Sequence, residues 1–289
     1  MSLLSRVAVY GRFVRFSHTV FALPFALMGA VLAAGGIPPV RALLLVLLAM
    51  VGARSAAMAM NRLADEGIDA ANPRTRGREL PSGAISRAGA IAFLVASIGA
   101  FLLACGLLNR LTLMLSPVAL LVLLSYPYAK RFTSLCHLWL GVALGLAPAG
   151  AWVAVRGEFG EGALAPVLLG AAVALWTAGF DVIYALLDID FDRERGLFSL
   201  PARLGAGPAL ALSSLFHALS VACLVLAAFP GGLGPIWFPG VGAAGVLLVF
   251  EHRIVKPGDL SRVNTAFFTL NGIVSVLLFG VLLVDVLGR

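Results

Sequence analysis

Asn61, Asp65 and Asp69 recur at intervals of four, so on a helix their oxygens climb one face in successive turns. Such a column of oxygen ligands suits a hard divalent cation such as magnesium. Arg62, Arg74, Arg76 and Arg78 interleave with the column or follow it, and guanidinium groups suit the oxygens of a phosphate. Together these residues describe a metal-diphosphate site. A second block repeats the logic with Asp181, Tyr184, Asp188 and Asp192, followed by Arg193, Arg195 and Arg203. The two blocks also share a phase: Arg54, Asn61 and Asp65 stand at intervals of seven and four, and so do Asp181, Asp188 and Asp192. At about 100° per residue each trio falls within roughly 40° of one helical line, so two helix ends can each aim oxygens at a shared point. The plain alternative is a solvated charged face at a helix end. Acidic residues alone do not explain the same four-residue repetition in two separate places.

Two of these residues raise a further question, because ionisable groups inside apolar spans are costly and default to functional roles. Arg54 and Asp181 each precede their aspartate column by two turns. Either they pair with one another and fix helix packing, or they touch substrate, with Asp181 positioning an acceptor. Lys130 and Arg131 follow Tyr126-Pro127-Tyr128 and suit diphosphate or acceptor binding, although Tyr and Lys at headgroup level also serve as interface anchors.

The elements that must carry these residues are membrane helices. Of 289 residues 61% are hydrophobic and 12% charged, about half the charged share of a soluble domain. The chain reads as all-α, a polytopic bundle of about nine transmembrane helices in one integral domain, 1–289, with two cytoplasmic motif loops. The spans expected are 17–35, 40–63, 86–106, 111–128, 134–155, 163–187, 207–229, 235–251 and 264–287, preceded by a short amphipathic segment over 2–16. The long connections, 64–85 and 188–206, are the ones that carry the motifs. With the N-terminus inside, only Arg41, Arg110, Arg156 and Arg289 of the 21 Lys and Arg fall outside, and Arg54 lies within a span. By the positive-inside rule both motif loops face the cytoplasm. Motif-bearing spans four apart, the second and the sixth, hint at a duplicated four-helix unit with a ninth helix added.

Other classes fit less well. The net charge of +7 is scattered through short connections, not gathered in aromatic-interleaved patches, so nucleic acid is not the partner. Cys105, Cys136 and Cys223 lack the spacing of a zinc site or a disulfide framework, and His18, His137, His217 and His252 show no ligand spacing. Arg6, Arg12 and Arg15 before an apolar run superficially resemble a signal peptide, but further spans follow at once.

The first block resembles the N-D-x-x-D-x-x-x-D signature of the UbiA superfamily of membrane-embedded aromatic prenyltransferases. Its following R-T-x-x-R-x-L-P-S-G run is matched by Arg74, Thr75, Arg78, Leu80, Pro81, Ser82 and Gly83. The second block is similar to that family's Y-A-x-x-D-x-x-x-D-x-x-x-G, matched by Tyr184, Ala185, Asp188, Asp192 and Gly196. Tyr126, Pro127, Lys130 and Arg131 match a Y-P-x-x-K-R segment. One departure stands at Arg62, where the family usually has Asp. Arg15 to Pro24, Arg62 and Glu251 to Lys256 further resemble a 4-hydroxybenzoate polyprenyltransferase-like subgroup.

The resemblance implies an enzyme in which a polyprenyl diphosphate loses diphosphate and the allylic cation attacks an electron-rich aromatic ring. It implies Mg2+ held by Asn61, Asp65, Asp69, Asp188 and Asp192, the four aspartates also being catalytic. Arg54, Arg74, Arg78, Lys130, Arg131, Asp181 and Tyr184 would bind diphosphate or acceptor, and His18 is a candidate acceptor contact. The acceptor expected is an aromatic acid of the 4-hydroxybenzoate type in quinone biosynthesis. The alternative acceptor is 1,4-dihydroxy-6-naphthoate for menaquinone. Partners are then the prenyl diphosphate, the small acceptor and membrane lipid, in a bacterial inner membrane with the site facing the cytoplasm. The rival from another class is a cation-coupled transporter, whose acids would lie nearer the bilayer midplane on broken helices.

Overall fold

The computed structural model describes residues 3–15 and 19–289, and within these the side chains of 3–7 and 19–21 are left aside. The expected contact at His18 lies outside the described residues. Among those described, every named element is a helix. The order is α1 (Leu3–Phe13), α2 (Thr19–Ala34), α3 (Val40–Ala64), α4 (Glu66–Ala71), α5 (Arg87–Leu108), α6 (Arg110–Ala129) and α7 (Cys136–Arg156). It continues with α8 (Leu164–Ala185), α9 (Ile189–Glu194), α10 (Leu200–Leu204), α11 (Ala206–Ala227), α12 (Trp237–Ile254) and α13 (Asn271–Leu287).

Among the described residues seven helical stretches are long and apolar enough to cross a membrane: α3, α5, α6, α7 and α11, the stretch Leu164–Glu194 that contains α8, and one from Thr265 through α13. The count of nine expected from sequence also included α2 and α12. α2 has 16 residues, Thr19–Ala34, and the last turn of α12 carries Glu251, His252 and Arg253. Large apolar side chains such as Leu44, Val95, Leu121 and Val246 point outward, the inverse of a water-soluble surface. Lipid is the environment that accepts them.

With lipid outside, close approach of backbones must supply the packing, and small residues permit it. A Cβ on Gly52 of α3 would fall 2.8 Å from the backbone nitrogen of Phe101 on α5. Gly29 of α2 lies equally tight on the Pro148 carbonyl of α7, and Gly145 of α7 on the Gly170 carbonyl of α8. The core of the second half gathers around Trp176, Phe180 and Trp237. Asn271, fully buried, ties it together: its Oδ1 accepts from Trp176 Nε1 at 2.6 Å, and its Nδ2 donates to Glu251 Oε1 at 3.1 Å and to the Ala266 carbonyl at 3.0 Å. That last bond satisfies a carbonyl in a π-helical turn over Thr265–Leu270, which precedes α13 within the expected last span.

The amphipathic segment at the start is the helix α1. Its Val9 and Phe13, with the following Val14, pack on Ala59, Leu80, Ile85 and Ala90, and Tyr10 stacks on Phe93 at 5.1 Å. It thereby braces the end of α3 where the first motif begins. The two expected motif loops are not plain loops either, since α4 lies in the first and α9 and α10 in the second.

Candidate active site

The end of α3 delivers the first column almost as a continuous helix. Asp65 closes α3, its backbone N–H donating to the Asn61 carbonyl at 3.0 Å, and the Asp69 N–H donates to the Asp65 carbonyl at 2.7 Å. The four-residue phase therefore survives the change from α3 to α4. After α4 the backbone turns at Asn72, whose Oδ1 accepts from the Arg74 N–H at 2.9 Å, a side-chain mimic of a turn before Pro73. The Thr75 hydroxyl donates to the Asp69 carbonyl at 3.1 Å and closes the loop.

The second column leaves α8 through one 3-10 turn, Leu186–Asp188, before α9 begins. This tighter turn re-aims Asp188 and Asp192. Gly196 then takes φ +64°, a left-handed conformation suited to glycine, and the Leu197 N–H returns to the Asp192 carbonyl at 2.8 Å. The Phe198 N–H donates to the Lys130 carbonyl at 2.7 Å, which pins the second loop to the end of α6.

These two arms meet. Asn61, Asp65, Asp69, Asn72, Arg74, Arg78, Lys130, Asp188 and Asp192 line one polar basin. Across it, Arg74 Nε donates to Asp188 Oδ1 at 2.8 Å, its Nη2 contacts Asp188 Oδ2, and its Nη1 donates to the Tyr184 hydroxyl at 2.9 Å. Burial works against the Arg74 charge, but the hydrogen bonds it donates to Asp188, with that carboxylate's charge and Tyr184, more than offset it and hold the guanidinium above its ordinary pKa. Asn72 Nδ2 donates to Asp188 Oδ1 at 2.9 Å. Lys130 Nζ donates to Asp65 Oδ2 at 2.6 Å, and Arg131 Nη2 donates to Asp65 Oδ1 at 3.1 Å. Arg78 Nη1 reaches both oxygens of Asp69, at 2.6 and 2.7 Å.

Among the described residues no three of Asp, Glu, His and Cys stand close enough to hold a cation by themselves. Asp65, Asp69 and Asp188 instead each hold a cationic side chain. The donor set nevertheless fits a divalent metal that arrives with a polyanion. Four carboxylates face Arg74, Arg78 and Lys130, so bare metal or bare phosphate would unbalance the basin, whereas the two together add little net charge. Arg78 Nε supplies a second sign, since it is buried and has no hydrogen-bond partner among the described residues. An anion oxygen would satisfy it.

Some expected residues fall elsewhere. Asp181 does not pair with Arg54: its Oδ2 lies 2.7 Å from Nδ1 of His137, a residue whose sequence spacing carried no signal. Pairing with Arg54 is one of two alternatives open from the sequence; α7 stands against α8 and offers Asp181 a nearer partner. Arg54 donates to the Arg15 carbonyl at 3.3 Å and lines an apolar cleft bounded by α2, α3, α5, α6 and α7. The cleft begins at Ala57 and Met58, about one turn along α3 from Asn61, and Arg54 stands about 10 Å from Asn61, two turns along the helix. Arg131 also caps α3, its Nη2 donating to the Ala64 carbonyl at 2.6 Å. Arg62 is buried and turns to α1, donating to the Phe13 carbonyl at 3.3 Å, with Asp69 4.0 Å away. Arg193 turns back on its own loop, to the Ala202 carbonyl at 3.0 Å. Sequence reasoning missed Asn72 and His137. The Asn-Pro dipeptide marks the turn at Asn72, but nothing local marks His137.

A polar basin of acids and bases thus lies at the helix ends, beside an apolar cleft inside a lipid-facing bundle. Residues 22–273 match the UbiA prenyltransferase family, and the chain belongs to that family. A 4-hydroxybenzoate octaprenyltransferase of Xanthomonas euvesicatoria pv. vesicatoria (strain 85-10) is 35% identical over 89% of this chain and 84% of its own length. A protein of the same description from Alkalilimnicola ehrlichii is 32% identical over 89% of this chain and 86% of its own. The apo structure of a UbiA homolog from Aeropyrum pernix K1 superposes with a TM-score of 0.84 at 40% identity, covering 93% of this chain and 98% of that one. A UbiA homolog from Archaeoglobus fulgidus bound to GPP and Mg2+ shares the fold, with a TM-score of 0.72 at 20% identity over 96% of this chain and 99% of that one. The chain is therefore an integral membrane prenyltransferase, and the transporter reading is set aside.

Proposed function

We propose that this enzyme transfers a polyprenyl group from its diphosphate to an aromatic acid of the 4-hydroxybenzoate type, within a single membrane domain whose basin faces the cytoplasm. The observation that carries the reading is the meeting of the two acidic helix ends in one basin, directly above an apolar cleft. A polyprenyl diphosphate has those two parts in that order. The names of the curated relatives support the acceptor class. The relative bound to GPP and Mg2+ supports the donor and the metal.

Asn61, Asp65, Asp69, Asp188 and Asp192 would hold Mg2+, which when bound stabilises the charge that develops on the departing diphosphate. Arg74, Arg78 and Lys130 bind diphosphate oxygens, having first neutralised the aspartates. Arg131 keeps Asp65 and the end of α3 in place. Tyr184 orients Arg74, whose guanidinium carbon lies 5.1 Å from its ring centre. Arg54, a cation inside the cleft, meets the carboxylate of the acceptor, and the cleft keeps water from the allylic cation.

The testing experiment is an acceptor screen. Purified protein in lipid is given a labelled prenyl diphosphate and Mg2+, with 4-hydroxybenzoate and 1,4-dihydroxy-6-naphthoate offered separately. The reading expects prenylated 4-hydroxybenzoate as the faster product. Faster reaction of the naphthoate would move the assignment to menaquinone precursors, and transfer to neither would reject it.

A further inference from the structure

The π-helical turn Thr265–Leu270 supplies none of the residues that line the basin or the cleft, yet its two aromatic side chains meet on the ring of Tyr184. Phe267 lies 4.3 Å from that ring, centre to centre, tilted by 36°, and Phe268 lies 6.4 Å away, nearly edge-on at 81°. The two phenylalanines are themselves 4.7 Å apart at 77°, so together they make a corner around Tyr184. Consecutive side chains of an α-helix diverge by about 100°. Here chain neighbours reach one ring from a wider turn. Asn271 holds that turn, its Nδ2 donating to the Ala266 and Phe267 carbonyls at 3.0 and 3.3 Å, groups that the wider turn takes out of the α-helical ladder.

Tyr184 is in turn the neutral partner of Arg74, which lines the basin. Nε and Nη2 of the guanidinium go to Asp188, and Nη1 goes to the Tyr184 hydroxyl at 2.9 Å. Asp188 has a second donor in the Asn72 amide, at 2.9 Å, and so can release Arg74 without being left unpaired. The phenol carries no charge that competes with an incoming anion. It can keep Nη1 while the other two nitrogens change partners. For that it must not swing, and the corner of Phe267 and Phe268 is what blocks its ring.

We propose that Tyr184 is the pivot on which Arg74 turns from Asp188 to the diphosphate, and that Phe267 and Phe268, presented by the π-turn, are the residues that position it. This rests on the prenyltransfer reading above, in which Arg74 binds diphosphate oxygens. The two phenylalanines touch no substrate. They act through the Tyr184 hydroxyl alone, so their effect falls on capture of the diphosphate and disappears when that hydroxyl is absent.

The test uses full-length protein in lipid at saturating acceptor and Mg2+, with kcat and the KM for prenyl diphosphate measured separately. Phe267→Leu is expected to raise KM by about three- to tenfold, the worth of an aromatic pair, while kcat changes by less than about twofold. Tyr184→Phe removes the hydroxyl, keeps the ring and raises KM by about tenfold. When Phe267→Leu is added to Tyr184→Phe, KM rises no further, within about twofold, because the corner then has no hydroxyl to aim. Multiplied effects in the double variant, an unchanged KM in Phe267→Leu, or a fall in kcat alone overturn the proposal and leave the corner to packing. Should Phe267→Leu not insert, the same cycle is run with Phe268→Leu and read in the same way. A wild-type enzyme that transfers no prenyl group removes the function reading itself, a result distinct from an active wild type in which the two changes multiply.

Discussion

Arg74 and Asp188, 114 residues apart, are joined across the basin by a two-pronged guanidinium-carboxylate contact, with Arg74 Nε 2.8 Å from Asp188 Oδ1. In this arrangement Arg74 occupies the carboxylate that a metal would need. On the proposed reading, substrate entry would move Arg74 from Asp188 onto the diphosphate.

Arg74→Ala is expected to raise the KM for prenyl diphosphate by about ten- to a hundredfold, the worth of a charge-assisted pair. Arg74→Lys keeps the charge but not the fork and recovers only part of the loss. Steady-state kinetics at saturating acceptor measures both, and an unchanged KM in the Ala variant would remove Arg74 from the diphosphate site.

Chelation of divalent metal should stop turnover, and added Mg2+ should restore it. Asp65→Ala and Asp188→Ala are each expected to lower kcat by about a hundredfold or more, since either loss opens one arm of the metal site. Membrane insertion should be unchanged. Labelled-product assays before and after chelation check this, and full activity in either variant would contradict the assignment.

Much of this was legible in the chain because membrane helices declare themselves by apolar run length and the aspartate columns by a spacing of four. The four-residue phase of Asn61, Asp65 and Asp69 persisted because backbone hydrogen bonds pass through the α3 to α4 boundary. Partnerships across helices were not legible. Asp181 meets His137 because α7 packs on α8, a fact of tertiary packing that no local spacing encodes. Arg62 reads locally as part of the acidic block, yet it faces α1, because its position on α3 points away from the basin. The π-turn before α13 also left no trace, since it depends on Asn271 reaching back to the Ala266 carbonyl.

Gly52→Ala is expected to cost about 1–3 kcal/mol, because the new Cβ meets the Phe101 backbone and α3 must move away from α5. The same displacement carries Asn61 and Asp65 out of line, so activity should fall with stability. Thermal unfolding in detergent, paired with turnover, tests the link. Unaltered unfolding would show that the two helices have room to spare.

Asn271→Leu leaves the Trp176 indole N–H and the Glu251 carboxyl without this partner inside the bundle. About 1–3 kcal/mol is expected for each group left unpaired. Asn271→Asp, which keeps the oxygen for Trp176, should retain more stability than Leu when unfolding midpoints are compared at one detergent concentration. Equal losses would mean that the Trp176 bond contributes little.

The most direct measurement of the central claim is Mn2+ binding followed by electron paramagnetic resonance, with a non-hydrolysable prenyl diphosphate analogue present. Convergence of the two arms predicts that Mn2+ binds with coupling to phosphorus nuclei, and that Asp65→Ala and Asp188→Ala each weaken it. If one arm can be disabled with binding and phosphorus coupling intact, the two helix ends do not form a single metal-diphosphate site.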